Sequence, residues 1–369
     1  MFADNWKISL RQIRRLLILD LFGMSSLMLP RIFSSMKGAD GIFCLFLGGA
    51  GGMALLWLMG ANLKRIEKDY YHYMKNTAGE FLGDVFMAFY FLYFVTLSGY
   101  VLYQLTTLVL SWLLPDGSWL GVSLLLLLLG VYGSIQGIEG RARVYEIIFW
   151  FLGIPLLIML FFAAGDVNPS YWTPIVASHG SSLLEGSVAV LIFLLPITAL
   201  LFLIPYCRAP KKMAACAKSS LFVVIFVNLV IYLILLGIFG TNTMGVLSRP
   251  VITLMGMIKL PGGFFTRQDV LMTAVWFFAL FALLNTGIFQ GTLLIKELLQ
   301  RPQNRWCVWA TAVLVFFIAK GFFEHSFLED VFQRYQIWVA LPGMFLILLI
   351  LLAAHKVRTG KRVREGGSS

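Results

Sequence analysis

Charge is scarce in this chain. Asp, Glu, Lys and Arg together make up 13% of its 369 residues, about half the share found in a soluble domain. Cysteine and histidine are scarcer still, with four of each. Cys44, Cys207, Cys216 and Cys307 are scattered without metal-ligand or disulfide-framework spacing. His72, His179, His325 and His355 are dispersed among loops and segment ends. No His/Cys/carboxylate cluster suggests a metal, no nucleophile–base spacing suggests catalysis, and no cofactor is expected. What fills the chain instead is apolar: 59% hydrophobic and 15% aromatic residues, with 32 Phe and a mean hydropathy of +0.85. A soluble fold of this length cannot hide so much Leu and Phe and still cover itself with polar side chains. The aromatic share argues equally against disorder. The composition is that of an all-α polytopic membrane protein.

A helix needs about 20 apolar residues to cross the hydrocarbon core, and ten segments qualify: 15–33, 41–62, 83–114, 119–137, 144–164, 184–206, 219–240, 269–295, 306–323 and 335–355. With ten crossings, 22 of the 29 Lys and Arg fall on the side of the two termini, Arg141 and Arg143 among them in the fourth connection. That bias places both termini in the cytoplasm. It also accounts for the net charge of +11 through topology and anionic membrane lipid, so nucleic acid is not an expected partner. The first apolar run has no small-residue cleavage site behind it and reads as a retained span. Between the seventh and eighth segments, Arg249 to Leu260 has apolar residues at helical spacing behind Pro250, which suits a short helix lying on the outer face. The tail Glu365 to Ser369 is expected to be disordered. Gly48-Gly49-Ala50-Gly51-Gly52 lies inside an apolar span with no Lys-Ser/Thr after it, so it reads as a helix contact and not a phosphate loop.

Ten spans divide into two sets of five with inverted topology, a design common among secondary transporters. The chain then reads as one transmembrane domain, 1–369, with a first repeat at about 9–165, a second at about 170–355 and a cytoplasmic tail at 356–369. In such folds the ligand sits at the midplane, where the first helix of each half is interrupted. The first span carries Gly23-Met24-Ser25-Ser26 at its middle, a poor helix former followed by two hydroxyls that can satisfy backbone groups themselves. The sixth carries Leu195-Pro196, and the missing N–H of proline breaks the ladder. Freed N–H groups and carbonyls at two facing breaks suit a zwitterionic amino acid, with sugars and nucleosides left open. Thr96, Asn285 and Phe289 are expected to stand behind these breaks, with Thr286 and Gln290 beside them. Asp20, inside the first helix, is a candidate for ion or proton coupling, or for pairing with a buried Lys or Arg. The other reading has it reaching water or the basic pair Arg14 and Arg15. Arg143 and Glu146, three apart, are expected to form a structural ion pair.

The order of motifs resembles that of the B subunits of spore germinant receptors, the GerAB-type spore permease family of the amino acid–polyamine–organocation superfamily. The residues that carry the likeness are Ile8-Ser9-Leu10-Arg11-Gln12, Gly23 with Pro30-Arg31, Gly140-Arg141-Ala142-Arg143 through Glu146, Tyr171-Trp172-Thr173-Pro174-Ile175, Pro205 through Pro210-Lys211-Lys212, Arg249-Pro250, and Asp269 through Trp276. Gly-Met-Ser-Ser departs from the Gly-x-Gly pattern usual at the first break, and the sixth helix has Pro196 where a glycine is usual. The resemblance implies a 5+5 inverted-repeat, LeuT/APC-type fold with helices one and six interrupted. It further implies a location in the spore inner membrane and a nutrient germinant, an amino acid first, as ligand. The implied partners are a germinant receptor A subunit and a lipoprotein C subunit. An amino-acid permease coupled to a proton or cation is the alternative.

Overall fold

The computed structural model describes residues 7–66, 68–174, 177–258, 268–300 and 305–365. The first helix, α1 (Leu10–Phe33), begins at a reciprocal cap: the Gln12 N–H donates to the Ser9 hydroxyl at 3.3 Å, and the Ser9 N–H donates to Gln12 Oε1 at 2.9 Å. Two otherwise free donors are satisfied by one Ser-x-x-Gln, which gives the Ile8-to-Gln12 motif a physical reason. The chain continues through α2 (Gly41–Leu63), a short α3 (Tyr70–Ala78), α4 (Glu80–Trp112), α5 (Trp119–Ile135) and α6 (Gly137–Ala163). After a 3-10 turn at Pro169–Trp172 comes α7 (Gly180–Leu194), which runs on directly as a 3-10 helix, Leu195–Tyr206. Then follow α8 (Met213–Val246), α9 (Pro250–Met257), α10 (Gln268–Leu298) and α11 (Trp306–Glu324). Last, α12 (Phe327–Tyr335) passes through a π turn at Gln336–Ala340 into α13 (Leu341–Glu365).

Among the described residues nine helices are long and apolar enough to cross a membrane, and α5, of 17 residues, is a shorter tenth. Each coincides with one of the ten expected segments. This is an integral membrane protein whose regular elements, among the described residues, are all helical. The apolar windows of α1 and α10 are each 78% buried, whereas those of α6 and of the Phe327–Arg358 span are 28% buried. The first pair therefore forms the centre of the bundle, and the second pair presents side chains such as Phe161 and Trp338 outward to lipid. The start of α1 is fastened to the end of the sixth crossing: the Ile8 N–H donates to the Tyr206 carbonyl at 2.7 Å, and the Arg208 N–H donates to the Ile8 carbonyl at 3.1 Å. Tyr73 of α3 meets His355 of α13 there too. This end, which gathers α3 and the approaches to both termini, is called the terminal end below.

Helix α10 lies flush on α4. A Cβ at Gly287 would collide with the Ser98 hydroxyl and sit 3.1 Å from the Phe94 carbonyl. Gly287→Val is expected to part these two central helices and cost about 1–3 kcal/mol, as overpacking does, read as a lowered Tm in detergent. An unchanged Tm would mean that the two helices do not approach this closely.

Two expectations change. Helix α6 starts at Gly137, so Arg141 and Arg143 stand inside a helix rather than in a connection. The short outer helix exists as α9, but Val251, Ile252, Leu254 and Met255 are buried in protein and not spread on a lipid surface. It packs on α1, α8 and α10. Arg249, at its start, donates from Nη2 to the Gln104 carbonyl and side-chain oxygen of α4, both at 3.3 Å. Burial pushes this guanidinium down to about 10, still charged at neutral pH. The part of that expectation at Lys259 and Leu260 lies outside the described residues, as does the tail beyond Glu365, which itself still belongs to α13.

Candidate functional site

Helix α1 is not interrupted: it runs unbroken from Leu10 to Phe33 through Gly23-Met24-Ser25-Ser26. The two hydroxyls expected at a break instead bond back to carbonyls of the intact helix. Ser25 donates to the Leu21 carbonyl at 2.6 Å, and Ser26 donates to the Phe22 carbonyl at 2.7 Å. This is the i−4 back-bonding that lets a hydroxyl sit in a helix interior. Each also accepts a bond from a neighbour: Ser25 from Asn228 Nδ2 of α8 and Ser26 from Trp276 Nε1 of α10, both at 3.0 Å. Gly23 is a contact point, where a Cβ would come within 3.0 Å of Ala279. Met24 is buried beside it. The quartet knits α1 to its neighbours. Trp276→Phe removes one of these bonds but leaves the Ser26 donor satisfied. With the space the buried indole leaves behind, the expected loss is about 2–3 kcal/mol by thermal unfolding; an unchanged Tm would mean that the indole does not pack against α1 in this way.

The sixth crossing does change character at the predicted place. At Leu195-Pro196 the α-helix gives way to a 3-10 helix of 12 residues, and Leu195 through Ile204 are all buried. Runs of 3-10 helix beyond three or four residues are uncommon, and inside a longer helix they often mark a hinge. The segment touches the surrounding bundle through two side chains in particular. Gln290 Nε2 of α10 donates to the Ala199 carbonyl at 3.0 Å. Phe202 sits in a ring of aromatics, with centroids of Tyr70 at 5.3 Å, Tyr71 at 5.5 Å, Tyr90 at 5.2 Å and Phe94 at 6.2 Å. Tyr70 and Tyr71 belong to α3, so the 3-10 segment is packed directly against the short helix at the terminal end.

A polar cluster joins α1, α6 and α10. Thr286 Oγ1 donates to Asp20, at 2.9 Å from either carboxylate oxygen, and accepts from Arg141 Nη2. All three residues are at most 3% exposed. The Arg141 guanidinium lies 4.7 Å over the Phe289 ring and 5.6 Å from the Tyr145 ring, where an aromatic face attracts a cation. Asp20 therefore faces an internal cation. Arg15, one of the basic pair it was thought able to reach, bonds Glu146. The expected Arg143–Glu146 pair is replaced by two others: Arg143 with Glu139 one turn earlier, at 2.6 Å, and Glu146 with Arg15 of α1. Glu146 serves to fasten α6 to α1, since Gln12 Nε2 reaches it as well.

Asn285 and Gln290 are buried on α10, and each has its amide nitrogen engaged: Asn285 Nδ2 with the Gly130 carbonyl at 2.9 Å, and Gln290 Nε2 with Ala199. Their oxygens, Asn285 Oδ1 and Gln290 Oε1, have no hydrogen-bond partner among the described residues, and neither does the buried Tyr93 hydroxyl of α4. Buried polar atoms left unpaired in a protein core are few, and each calls for an explanation. Thr96 is half-buried and returns its hydroxyl to the Leu92 and Tyr93 carbonyls of its own helix.

A family profile described as spore germination protein, Spore_permease, matches residues 7–325. The chain belongs to the spore permease family. Relatives from Bacillus subtilis (strain 168) include spore germination protein YndE, 20% identical over 361 residues, 94% of this chain and 98% of that one. Spore germination protein B2 is 22% identical over 322 residues, 86% and 87% of the two chains. Spore germination protein KB is 28% identical over 187 residues, 50% and 49%. Among solved structures, a substrate-bound, outward-open Na+-coupled sialic acid symporter superposes with a TM-score of 0.64 at 11% identity, covering 91% of this spore permease and 78% of the symporter. A nucleobase-cation-symport-1 family transporter, closed with bromovinylhydantoin bound, gives 0.59 at 10%, covering 85% and 71%. At such identities the likeness is one of fold, the LeuT-type transporter fold.

The sequence pointed to Pro196, Asn285, Phe289 and Asp20 in this spore permease, and all four are buried in or beside the cluster around α10. It missed Arg141, Trp276 and Asn228 as interior groups, and it missed the role of Phe202. An arginine in the family-like run 140–146 was the available signal for the first.

Proposed function

We propose that this spore permease is the nutrient-sensing membrane subunit of a spore germinant receptor. A small molecule, an amino acid first, binds beside the 3-10 segment Leu195–Tyr206. The observation that carries the reading is that 12-residue segment, buried from Leu195 to Ile204 and flanked by Gln290 and Asn285 with uncommitted oxygens. A 3-10 run converts to an α-helix at modest cost, and ligand groups that satisfy those oxygens shift the balance between two packings of one segment. Movement of the segment carries Phe202 with it. Phe202 presses on Tyr70 and Tyr71, so α3 moves at the terminal end. On the proposed topology α3 is cytoplasmic, where it is placed to address receptor A and lipoprotein C subunits in the spore inner membrane. The chain is then one transmembrane domain of two five-helix repeats, with site residues Gly23, Ser25, Ser26 and Met24 holding α1 firm while Leu195 and Pro196 move.

The second reading, an amino-acid permease coupled to a proton or cation through Asp20, draws on the burial of that carboxylate in the first helix. Arg141 opposes it by already supplying the positive charge that a coupling ion brings. The aromatic ring around Phe202 also closes the path to the terminal end. Dipicolinate release from spores lacking this gene, across amino acids, nucleosides and sugars, tests the first reading: loss of one nutrient response is expected. Ion-dependent uptake by the purified protein alone in liposomes is the result that would favour the second.

A further inference from the structure

The end of the bundle opposite the termini holds a cavity of about 420 Å³, formed by three stretches of chain: residues 34–38 after α1, 170–174 between α6 and α7, and 240–242 of α8. We propose that it is a preformed site for a polyhydroxylated carboxylate, a sugar acid in chemical class, separate from the midplane site.

The walls are tied together independently of any ligand. The Lys37 N–H donates to Ser178 Oγ at 2.9 Å, and the Ala39 N–H donates to the Pro174 carbonyl at 3.3 Å. The Asn168 N–H donates to the Gly237 carbonyl at 2.8 Å, and Trp172 Nε1 donates to the Leu233 carbonyl at 3.0 Å. The third wall exists because α8 kinks at Gly240, whose φ of 66° is open to glycine and strained for other residues. The cavity's volume lies in the range of small-molecule sites.

The chemistry of the lining selects the ligand. Ser34 donates its hydroxyl hydrogen to the Arg31 carbonyl at 2.6 Å, and Ser35 donates to Ile32 at 2.8 Å. Ser170 donates to Asn168 Oδ1 at 2.7 Å, and Thr173 donates to the Ser170 carbonyl at 2.9 Å. A hydroxyl has one hydrogen and two lone pairs, so these four lining residues are left with acceptor oxygens to offer. The matching ligand is rich in O–H donors. Among the described residues of the lining the one cation is Lys37, which makes no ion pair with a described residue. No described lining residue is a carboxylate. The nearby Asp40 is buried, and its Oδ2 accepts from the Ala177 and Ser178 N–H groups. A zwitterionic amino acid would bring an ammonium of like charge close to Lys37, with no described lining carboxylate to offset it, and lacks a polyol's hydroxyls for the remaining acceptor oxygens. A sugar acid places its carboxylate on Lys37 and its hydroxyls on the serine and threonine oxygens.

The test uses the full-length protein in lipid nanodiscs, with D-gluconate and the neutral polyol D-sorbitol as probes and saturation-transfer NMR titration as readout. Gluconate is expected to bind, at least tenfold more tightly than sorbitol. Lys37→Gln, an exposed position that leaves folding intact, should weaken gluconate at least tenfold and leave sorbitol unchanged. Thr241→Phe should fill the cavity and abolish both. Gln290→Leu, at the midplane, should change neither, which keeps this proposal's fate apart from that of the sensing site. No gluconate binding, equal binding of the two probes, an indifferent Lys37→Gln variant, or loss of binding on Gln290→Leu would each overturn it.

Discussion

Arg141→Met should destabilise the protein by about 3–5 kcal/mol, the usual consequence of leaving a buried charge uncompensated, since Arg141 and Asp20 meet through the Thr286 hydroxyl. The Asp20 carboxylate would remain at the centre of the bundle, held by the Thr286 hydroxyl alone. The ring of Phe289 would lose the cation lying 4.7 Å over it. Asp20→Asn alone should also destabilise, because it strands the guanidinium. The double variant, with neither charge present, should recover most of the loss, since apolar or neutral replacements of a whole buried pair are often tolerated. Thermal unfolding of the four proteins in one detergent completes the cycle and gives the coupling energy. A double variant no more stable than either single one would mean that the two groups are not a pair. The same four proteins also bear on coupling: if Arg141 stands where a coupling cation would, the wild type should show no Tm response to Na+.

Phe202→Ala carries the other large effect. Its ring is 1% exposed and meets Tyr70, Tyr71, Tyr90 and Phe94. Deleting a buried phenylalanine costs about 3–5 kcal/mol. Phe202→Leu keeps most of the volume and should cost under about 1.5 kcal/mol. It removes the flat faces through which the 3-10 segment bears on α3. Phe202→Leu spores should therefore retain normal protein abundance yet respond to nutrient weakly or not at all, while the purified variant binds the same nutrient as wild type. If germination is normal in Phe202→Leu, α3 is not the route by which the segment acts.

Most of the architecture was legible in the sequence because lipid imposes it. A crossing helix must be apolar for about 20 residues whatever it packs against, so ten runs could be read off one dimension. Local chemistry was legible where it is settled within a few residues. Ser9 with Gln12 makes a cap, and Pro196 ends an α-helix by removing its own N–H. The first break was misread because the same local reasoning has two outcomes. A Ser-Ser pair can release backbone carbonyls or bond back to them, and Ser25 and Ser26 bond back because Asn228 and Trp276, more than 200 positions away in the chain, engage their oxygens. Arg141 was counted as a loop charge because an arginine near a helix end normally reaches water. Its inward course follows from Asp20 and Thr286 on two other helices. The exchange of ion pairs around Glu146 has the same origin. An i,i+3 pair was available on α6, but Arg15 of α1 packs closer.

The central claim is that a small molecule is read at the 3-10 segment of the sixth crossing through α10. Its most direct test is the dose–response of dipicolinate release from spores carrying Gln290→Leu at wild-type abundance, for the nutrient whose response the deletion abolishes. Leucine fits the volume but loses both the bond to the Ala199 carbonyl and the uncommitted oxygen. The account predicts a half-maximal concentration raised at least tenfold with the final extent of release preserved. A curve superimposable on the wild type would contradict it.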